Sequence, residues 1–171
     1  MKTALIVIDM QTDFIDGALG TPEAQKILPY VKEQVARASK DSDTLLVFTQ
    51  DTHTEDYLST AEGKKLPVPH CIKPQDGWKI SPELLPYTKD AVIIEKPTFG
   101  STALPEAVKD CDRFVLLGLC TDICVISNAM LLKAFYPERP VAIDSKGCAG
   151  VTPQSHENAL EAMKMCQIDI L

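Results

Sequence analysis

The stretch "GLCTDICVISNAM", residues 118–130, carries two cysteines four positions apart at the end of the apolar run "RFVLLGL". Apolar residues at helical spacing predict a helix over Asp122–Phe135, with Thr121 or Asp122 as its N-cap. Cys124 would lie in the first turn, where unpaired N–H groups and the positive end of the helix dipole stabilise a thiolate. We therefore expect a lowered pKa for the Cys124 thiol and a nucleophilic role, with burial as a small apolar side chain as the alternative.

A nucleophilic thiol needs a base that accepts its proton and later protonates the leaving group. Asp9 follows the apolar run "ALIVI", and Lys96 follows the run "AVIIE". Alone, such an aspartate is typical of a turn or a helix cap, and such a lysine is typical of a solvated strand end. With Cys124 they form a coherent set, because a lysine keeps a neighbouring carboxylate ionised and lowers the thiol pKa. The three residues predict an acyl-transfer site in which the N–H of Cys124, with one from the preceding turn, forms the oxyanion hole.

A second group of side chains has the chemistry of a metal site. Asp51 and His53 stand two positions apart shortly after the run "TLLVF", so their side chains point to the same side of an extended backbone. His70 can supply a third ligand and Glu62 a fourth, although a solvated loop glutamate is an alternative for Glu62 and isolated histidines are commonly surface or core residues. Two imidazoles and a carboxylate suit Zn, Fe(II) or Mn and leave positions open for water or substrate.

Short runs rich in Val, Ile and Leu recur along the chain and are continuous rather than alternating, which is typical of strands buried on both faces. Helical patterns separate them, so we predict an α/β protein of three layers, α/β/α, around a central, mostly parallel sheet. The predicted strands are 4–8, 44–48, 91–95, 114–119 and 141–143, with 167–171 as a candidate last strand. The predicted helices are 22–39, 101–108, 122–135 and 153–166.

Residues 51–85 contain no long helix or strand pattern, although they hold both candidate histidines and Trp78. A loop of this length in a compact domain is either disordered or functional. In open α/β sheets the ligand lies outside the carboxyl ends of the strands. Asp9, Asp51, Lys96 and the "CTDIC" turn each follow a predicted strand, so we expect them to converge at that edge.

Length and charge exclude several classes of protein. The chain has 171 residues, 45% of them hydrophobic, which fits one domain spanning residues 1–171. Its net charge of −7 argues against a nucleic-acid partner. The N-terminus matches neither a signal peptide nor a membrane span, so a cytoplasmic location without a membrane partner is expected. The six cysteines include no C-x-x-C pair. The alternative of a different class is a flavodoxin-like binding or thiol redox domain with a disulfide between Cys120 and Cys124.

In their order along the chain, these residues resemble the nicotinamidase branch of the isochorismatase-like cysteine hydrolases. The resemblance covers most of the chain and runs through five motifs, "ALIVIDMQTDF", "TQDTH", "PHCI", "EKPTFGST" and "GLCTDICV". It implies the isochorismatase-like, Rossmann-like hydrolase fold. It also implies a site of seven residues: Asp9, Lys96 and Cys124 as the triad, Asp51, His53 and His70 as metal ligands, and Glu62 in the place of an extra acidic ligand of some bacterial members.

The same resemblance implies how the substrate is held. The cis peptide of the family would join Leu119 to Cys120, so that the N–H of Cys120 faces the substrate oxygen together with the N–H of Cys124. Phe14 matches the aromatic residue that stacks on the substrate ring, and Phe99 is a second candidate wall, with core packing as the alternative for both. The segments "LPVPH" and "IKPQDG" depart from the family pattern and leave the pocket shape open.

The activity that the resemblance implies is hydrolysis of nicotinamide to nicotinate and ammonia through a cysteine thioester, as in NAD salvage, with pyrazinamide as a second substrate. The implied cofactor is one divalent metal ion, with zinc favoured over iron or manganese, and the implied assembly is a homo-oligomer. A related cysteine hydrolase of another small amide or ureido compound is the alternative enzyme, and loss of the metal would point to it.

Overall fold

The chain forms one six-stranded sheet, seen in a computed structural model that describes residues 1–171. In sequence order the strands are β1 (Thr3–Ile8), β2 (Thr44–Asp51), β3 (Val92–Lys96), β4 (Arg113–Leu119), β5 (Val141–Ala149) and β6 (Asp169–Ile170). Across the sheet the order is β3-β2-β1-β4-β5-β6, and every neighbouring pair is parallel. The α/β prediction is therefore confirmed, including the candidate last strand.

Six α-helices connect the strands: α1 (Thr12–Ile15), α2 (Pro22–Ala38), α3 (Ala61–Lys65), α4 (Leu104–Ala107), α5 (Ile126–Phe135) and α6 (Pro153–Met165). The two longest begin after a threonine whose side chain caps the first turn, Thr21 before α2 and Thr152 before α6. In both, a proline follows the cap, where its missing N–H costs no hydrogen bond. None of the helices has the length and apolar character needed to cross a bilayer.

Helices cover both faces of the sheet because the chain changes direction across it. From β1 it passes to β2 and β3 on one side, and it then crosses to β4, β5 and β6 on the other. Right-handed crossovers place α2 on one face and α4, α5 and α6 on the opposite face. In agreement, α5 contacts both α4 and α6. The change of direction lies between β1 and β4, which is where open α/β sheets form their ligand crevice.

Several elements differ in length from the predicted ones. β2 continues beyond its apolar run through the polar residues 49–51, which pair with β3. β5 continues beyond its predicted end to Ala149. The predicted helix over 101–108 contains only the single turn α4. Residues 51–85 contain α3 and isolated 3₁₀ turns, and the short helix α1 was not predicted.

The connection from β4 to α5 differs most from the predicted structure. The Leu119–Cys120 peptide bond is cis, as the resemblance implies, and Thr121–Val125 form one π-helical turn before α5 begins. Cys120 occupies the N-cap position and no side chain caps the turn, so the predicted N-caps are wrong. Cys124 therefore lies in the π-helical turn and not in the first turn of an α-helix. Apolar spacing could not reveal this, because a single π-helical turn is too short to interrupt the apolar pattern of the helix that follows it.

Gly118 allows β4 to approach β1 closely. Its φ is +120°, and a Cβ at this position would lie 2.2 Å from the carbonyl oxygen of Ile8. Only glycine combines this backbone conformation with so close an approach. The contact brings the end of β4, and with it the π-helical turn, beside Asp9.

Candidate active site and metal centre

Asp9, Lys96 and Cys124 lie together at the carboxyl edge of the sheet. Asp9 follows β1, Lys96 ends β3, and Cys124 lies in the π-helical turn after β4. Lys96 Nζ lies 2.6 Å from Asp9 Oδ2 and 3.5 Å from Cys124 Sγ. The side chains of Asp9 and Lys96 are fully buried, and Cys124 is 5% exposed. The structure thus gathers the three predicted residues around one buried ammonium group.

The pKa of the Cys124 thiol is raised, contrary to the expectation from the helix dipole. Burial is the main cause, the charge of Asp9 adds to it, and Lys96 opposes it only in part. Burial also raises the pKa of Asp9 above its ordinary value, although Lys96 pulls it down. Burial lowers the pKa of Lys96, but the neighbouring acidic groups, Asp9 foremost, raise it well above the ordinary value. The resting thiol therefore keeps its proton and lies close to a carboxylate of increased basicity.

Contacts with β2 fix the conformation of Asp9. Its φ of 47° lies in the left-handed region, which non-glycine residues occupy mainly where the surroundings hold them, commonly at functional sites. Thr49 Oγ1 accepts a hydrogen bond from the N–H of Asp9 at 3.2 Å and donates one to Asp9 Oδ1 at 2.7 Å. Because Thr49 engages Oδ1 and Lys96 engages Oδ2, the carboxylate has a single orientation.

Asn128 fixes the π-helical turn from within α5. Its Nδ2 donates to the carbonyl oxygens of Cys124 at 2.7 Å and Phe99 at 3.1 Å. Its Oδ1 accepts from the N–H of Ser101 at 2.9 Å. This buried carboxamide joins the turn that carries Cys124 to the segment after β3. Sequence reasoning missed Asn128, and the signal that could have revealed it is an amide inside an otherwise apolar helical pattern.

Cys120 presents an unused backbone donor at the start of the turn. Its carbonyl oxygen accepts from the N–H groups of Ile123 and Val125 at 3.1 Å each, whereas its own N–H donates to no acceptor in the protein. Cys120 and Cys124 are both free thiols. Burial raises the pKa of the Cys120 thiol to about 12, so this side chain is neutral at physiological pH.

The second predicted group also comes together in space. Asp51 Oδ2 lies 2.9 Å from His53 Nε2 and 3.5 Å from His70 Nε2. Glu62 Oε1 lies 3.7 Å and 3.6 Å from the same two nitrogens. The four ligand atoms all lie within 4.8 Å of one another, so Glu62 joins the other three residues in one cluster.

This donor set fits a divalent metal ion. Ligand atoms about 2.1 Å from a tetrahedral zinc lie about 3.4 Å apart, which is close to most of the separations in the cluster. His70 Nδ1 lies 2.8 Å from the carbonyl oxygen of Val68, which can only accept a hydrogen bond, so Nε2 of the neutral ring is free to bind a metal. Asp51 Oδ1, 3.5 Å from Lys96 Nζ, is buried and makes no hydrogen bond, which leaves unused acceptor capacity in the cluster.

Aromatic rings surround the two imidazoles. The Tyr57 ring lies edge-on to both, with centroids 4.8 Å from His53 and 4.9 Å from His70. The Phe14 ring lies 5.5 Å from His70. Tyr57 is itself buried and donates a hydrogen bond to the carbonyl oxygen of Leu66. Packing of this kind restricts the orientation of the imidazoles before any ligand binds.

An apolar pocket of about 240 Å³ connects the two groups of residues. Cys124 lines it together with three members of the metal cluster, and the predicted wall residues Phe14 and Phe99 both line it. None of its twelve lining residues is lysine or arginine. Since an apolar cavity of about 150 Å³ holds benzene, this pocket is large enough for one substituted aromatic ring.

The family model of the isochorismatase domain matches residues 3–171. The chain belongs to the isochorismatase family. Among solved structures, this family member is similar to a pyrazinamidase of Pyrococcus horikoshii in complex with zinc, at 31% identity and a TM-score of 0.85, covering 100% of this chain and 99% of that one.

Two further solved structures extend the comparison. The nicotinamidase PncA of Bacillus subtilis is 27% identical to this isochorismatase-family chain, with a TM-score of 0.84 and coverage of 99% of both chains. An N-carbamoylsarcosine amidase of Thermoplasma acidophilum is 26% identical, with a TM-score of 0.80, covering 99% of this chain and 95% of that one. The chain is therefore an isochorismatase-family hydrolase, and its neighbours indicate amidohydrolase activity.

Proposed function

We propose that this chain is a metal-dependent nicotinamidase, which hydrolyses nicotinamide to nicotinate and ammonia and also accepts pyrazinamide. The observation that carries the proposal is that Cys124 and the Asp51, Glu62 and His70 side chains line one apolar pocket of about 240 Å³. A nucleophile on one side and a cluster of metal ligands on the other suit a flat ring that carries an amide at one position and a metal-binding atom at another. Similarity to a nicotinamidase and to a zinc-bound pyrazinamidase supports the same substrate class.

The first half of the reaction uses the buried triad. Asp9 takes the proton from the Cys124 thiol, and Sγ then attacks the amide carbon of the substrate. The carbonyl π electrons move to oxygen, which becomes an oxyanion that the backbone N–H groups of Cys120 and Cys124 stabilise. The raised pKa of Asp9 suits this role, because a stronger base accepts the proton of a weakly acidic thiol more readily.

The second half reverses the proton transfer. Asp9 returns the proton to the amide nitrogen as the carbon–nitrogen bond breaks, so ammonia leaves and a thioester remains on Cys124. Asp9 then takes a proton from water, whose oxygen attacks the thioester carbon. The carbon–sulfur bond breaks, the proton returns to Sγ, and nicotinic acid leaves, losing its carboxyl proton to water to become nicotinate. Throughout, Lys96 holds Asp9 by the 2.6 Å ion pair and balances its charge.

Asp51, His53 and His70, with Glu62, would hold the metal ion. When bound, a divalent cation would supply a Lewis-acidic position for the pyridine nitrogen of the substrate, directly or through water. Phe14 lies against His70 and lines the pocket, so it can stack on the ring that is held there. Phe99 is 41% exposed and forms the second wall.

The composition of the pocket argues against the alternative substrates. Carbamoylsarcosine and similar ureido acids carry a carboxylate, which usually pairs with arginine or lysine when bound in a pocket. The pocket lining has no such residue, and it includes the carboxylates Asp51 and Glu62. A ureido acid bound here would therefore have no basic side chain in the lining to pair with its carboxylate, whereas an uncharged ring amide needs none.

A substrate series tests the proposal. Ammonia release should be fast with nicotinamide and pyrazinamide, and at least about tenfold slower with benzamide, which has the amide but lacks the ring nitrogen. N-carbamoylsarcosine should give no detectable ammonia. If it were instead the preferred substrate, the chain would be a ureido hydrolase and the nicotinamidase proposal would be wrong.

A further inference from the structure

Gln11 is a fully buried glutamine whose side chain binds the backbone of Asp51 at two points. Its Oε1 accepts from the N–H of Asp51 at 2.7 Å, and its Nε2 donates to the Asp51 carbonyl oxygen at 2.8 Å. The same Nε2 donates to the carbonyl oxygen of Trp78 at 2.7 Å. The orientation of the carboxamide follows from these partners, because the two carbonyl groups can only accept.

These bonds continue the sheet beyond the point where β1 and β2 pair. The β1–β2 register ends at Val7 opposite Phe48, although β2 runs on to Asp51. On its other side Asp51 pairs with Lys96 of β3. On the β1 side the carboxamide of Gln11 takes the position of a missing strand and satisfies both backbone groups of Asp51.

The gap that Gln11 fills is produced by the turn of the chain at Asp9. The left-handed φ of Asp9 directs the backbone away from β2, and the N–H of Gln11 donates to the carbonyl oxygen of Asp9 at 2.7 Å. Gln11 therefore stands two residues after the proposed base and is hydrogen-bonded to the backbone of a proposed metal ligand. One side chain spans the two halves of the site.

We propose that Gln11 is a positioning residue for the metal centre: its carboxamide fixes the Asp51 backbone, and thereby the direction in which the Asp51 carboxylate faces His53 and His70. This inference rests on the metal centre of the proposed function. Groups that orient metal ligands from outside the ligand set are commonly responsible for about 10–100-fold in metal affinity. Burial strengthens the effect here, since no water can replace the lost donor and acceptor.

Two variants of different kinds test the role. Gln11→Glu keeps the shape but puts an acceptor where two carbonyl oxygens need a donor. Gln11→Met keeps the length of the side chain and removes both the hydrogen-bond donor and the acceptor. Gln50→Met is the matched control, because Gln50 is also buried and its Nε2 donates to the same Trp78 carbonyl oxygen at 3.2 Å but makes no side-chain bond to Asp51.

The readouts are the zinc dissociation constant, measured by competition with a chromogenic chelator, and the visible spectrum of the cobalt(II)-loaded protein. We expect both Gln11 variants to bind zinc about 10–100-fold more weakly and to show shifted cobalt bands, with the Gln50→Met protein close to wild type. Thermal unfolding of the metal-free proteins shows that each variant is folded. Unchanged affinity and spectrum in a folded Gln11 variant, or an equal loss in Gln50→Met, would overturn the positioning role. A wild-type chain that binds no zinc, cobalt, iron or manganese would instead overturn the metal centre, and the positioning role with it.

Discussion

At the scale of single residues, the proposed mechanism activates the thiol of Cys124 only when its proton is transferred. Burial keeps Cys124 protonated at rest, and the nearby Asp9 is made more basic by the same burial. A helix N-terminus would have favoured a standing thiolate, but Cys124 lies in the π-helical turn and is 5% exposed, and burial raises the pKa of its thiol. In that mechanism the negative charge on Cys124 Sγ therefore comes from transfer of the thiol proton to Asp9.

The two cysteines of the turn should differ sharply in importance. Cys124→Ala removes the attacking atom, so we expect nicotinamide turnover to fall at least about a thousandfold. Cys120→Ala keeps the backbone N–H on which its proposed role depends, so activity should stay within about tenfold of wild type. Initial rates of ammonia release decide the matter, with circular dichroism as the folding control. Equal inactivity of both folded variants would contradict this division of roles.

Lys96 should set the acid limb of the pH–activity profile. Burial raises the pKa of Asp9 and the Lys96 charge lowers it, so activity must fall as the pH drops through the net raised value. Lys96→Met removes the lowering charge, and the acid limb of kcat/KM should move upward by about 1–3 pH units.

Lys73→Met is the control for that experiment, because Lys73 forms its ion pair with Glu95 on the exposed surface. Its profile should match that of the wild type. An unshifted acid limb in a folded Lys96→Met protein would show that Asp9 is not the group whose ionisation limits activity.

At the scale of elements, the site depends on how closely β1, β2 and β4 end beside one another. Thr49 and Gln11 join the end of β2 to the segment after β1 by side-chain hydrogen bonds, where the regular strand pairing has stopped. Gly118 lets β4 approach Ile8. These contacts at the strand ends fix the proposed catalytic residues relative to the proposed metal ligands.

Gly118→Ala tests the close approach of β4 to β1. The added Cβ would lie 2.2 Å from the Ile8 carbonyl oxygen, on a backbone with φ of +120°, so we expect a loss of about 1–3 kcal/mol in unfolding free energy together with reduced activity. Gly100→Ala is the control, since a Cβ there meets only Ser127 at ordinary distances of 3.6 Å and more. Chemical denaturation measures both variants. A Gly118→Ala protein as stable as the control would show that the close approach is not required.

The buried strands could be predicted because their apolar runs are continuous, whereas the features that shape the site could not. The polar residues 49–51 follow the apolar run of β2 but still pair with β3, so the apolar pattern predicts too early an end for this strand. The raised pKa of Cys124 depends on burial by distant segments, which sequence alone does not give. The side-chain partners of Gln11 lie 40 and 67 residues away in the chain. Those of Asn128 lie 27 and 29 residues away or within one helical turn, and no local pattern identifies these partners.

At the scale of the whole molecule, the strand order explains why two groups of residues far apart in sequence share one pocket. The chain changes direction between β1 and β4, and the Asp9 and Cys124 segments follow those two strands. β2 and β3 end next to them and bring Asp51 and Lys96. The sheet thus places the proposed nucleophile and the candidate metal ligands around one ring-sized space. The homo-oligomeric state and the cytoplasmic location stay predictions.

In the proposed mechanism the metal positions the substrate while the thiol supplies the chemistry, so that the two roles are separable. Ammonia release from nicotinamide, measured before and after metal removal and add-back on one preparation, tests it most directly. Alkylation of Cys124 by iodoacetamide on the same samples reports the state of the thiol. We predict that chelation abolishes turnover, leaves the alkylation rate unchanged, and is reversed by zinc, iron or manganese. Full turnover by protein shown by elemental analysis to be metal-free would show that no metal is needed to position the substrate.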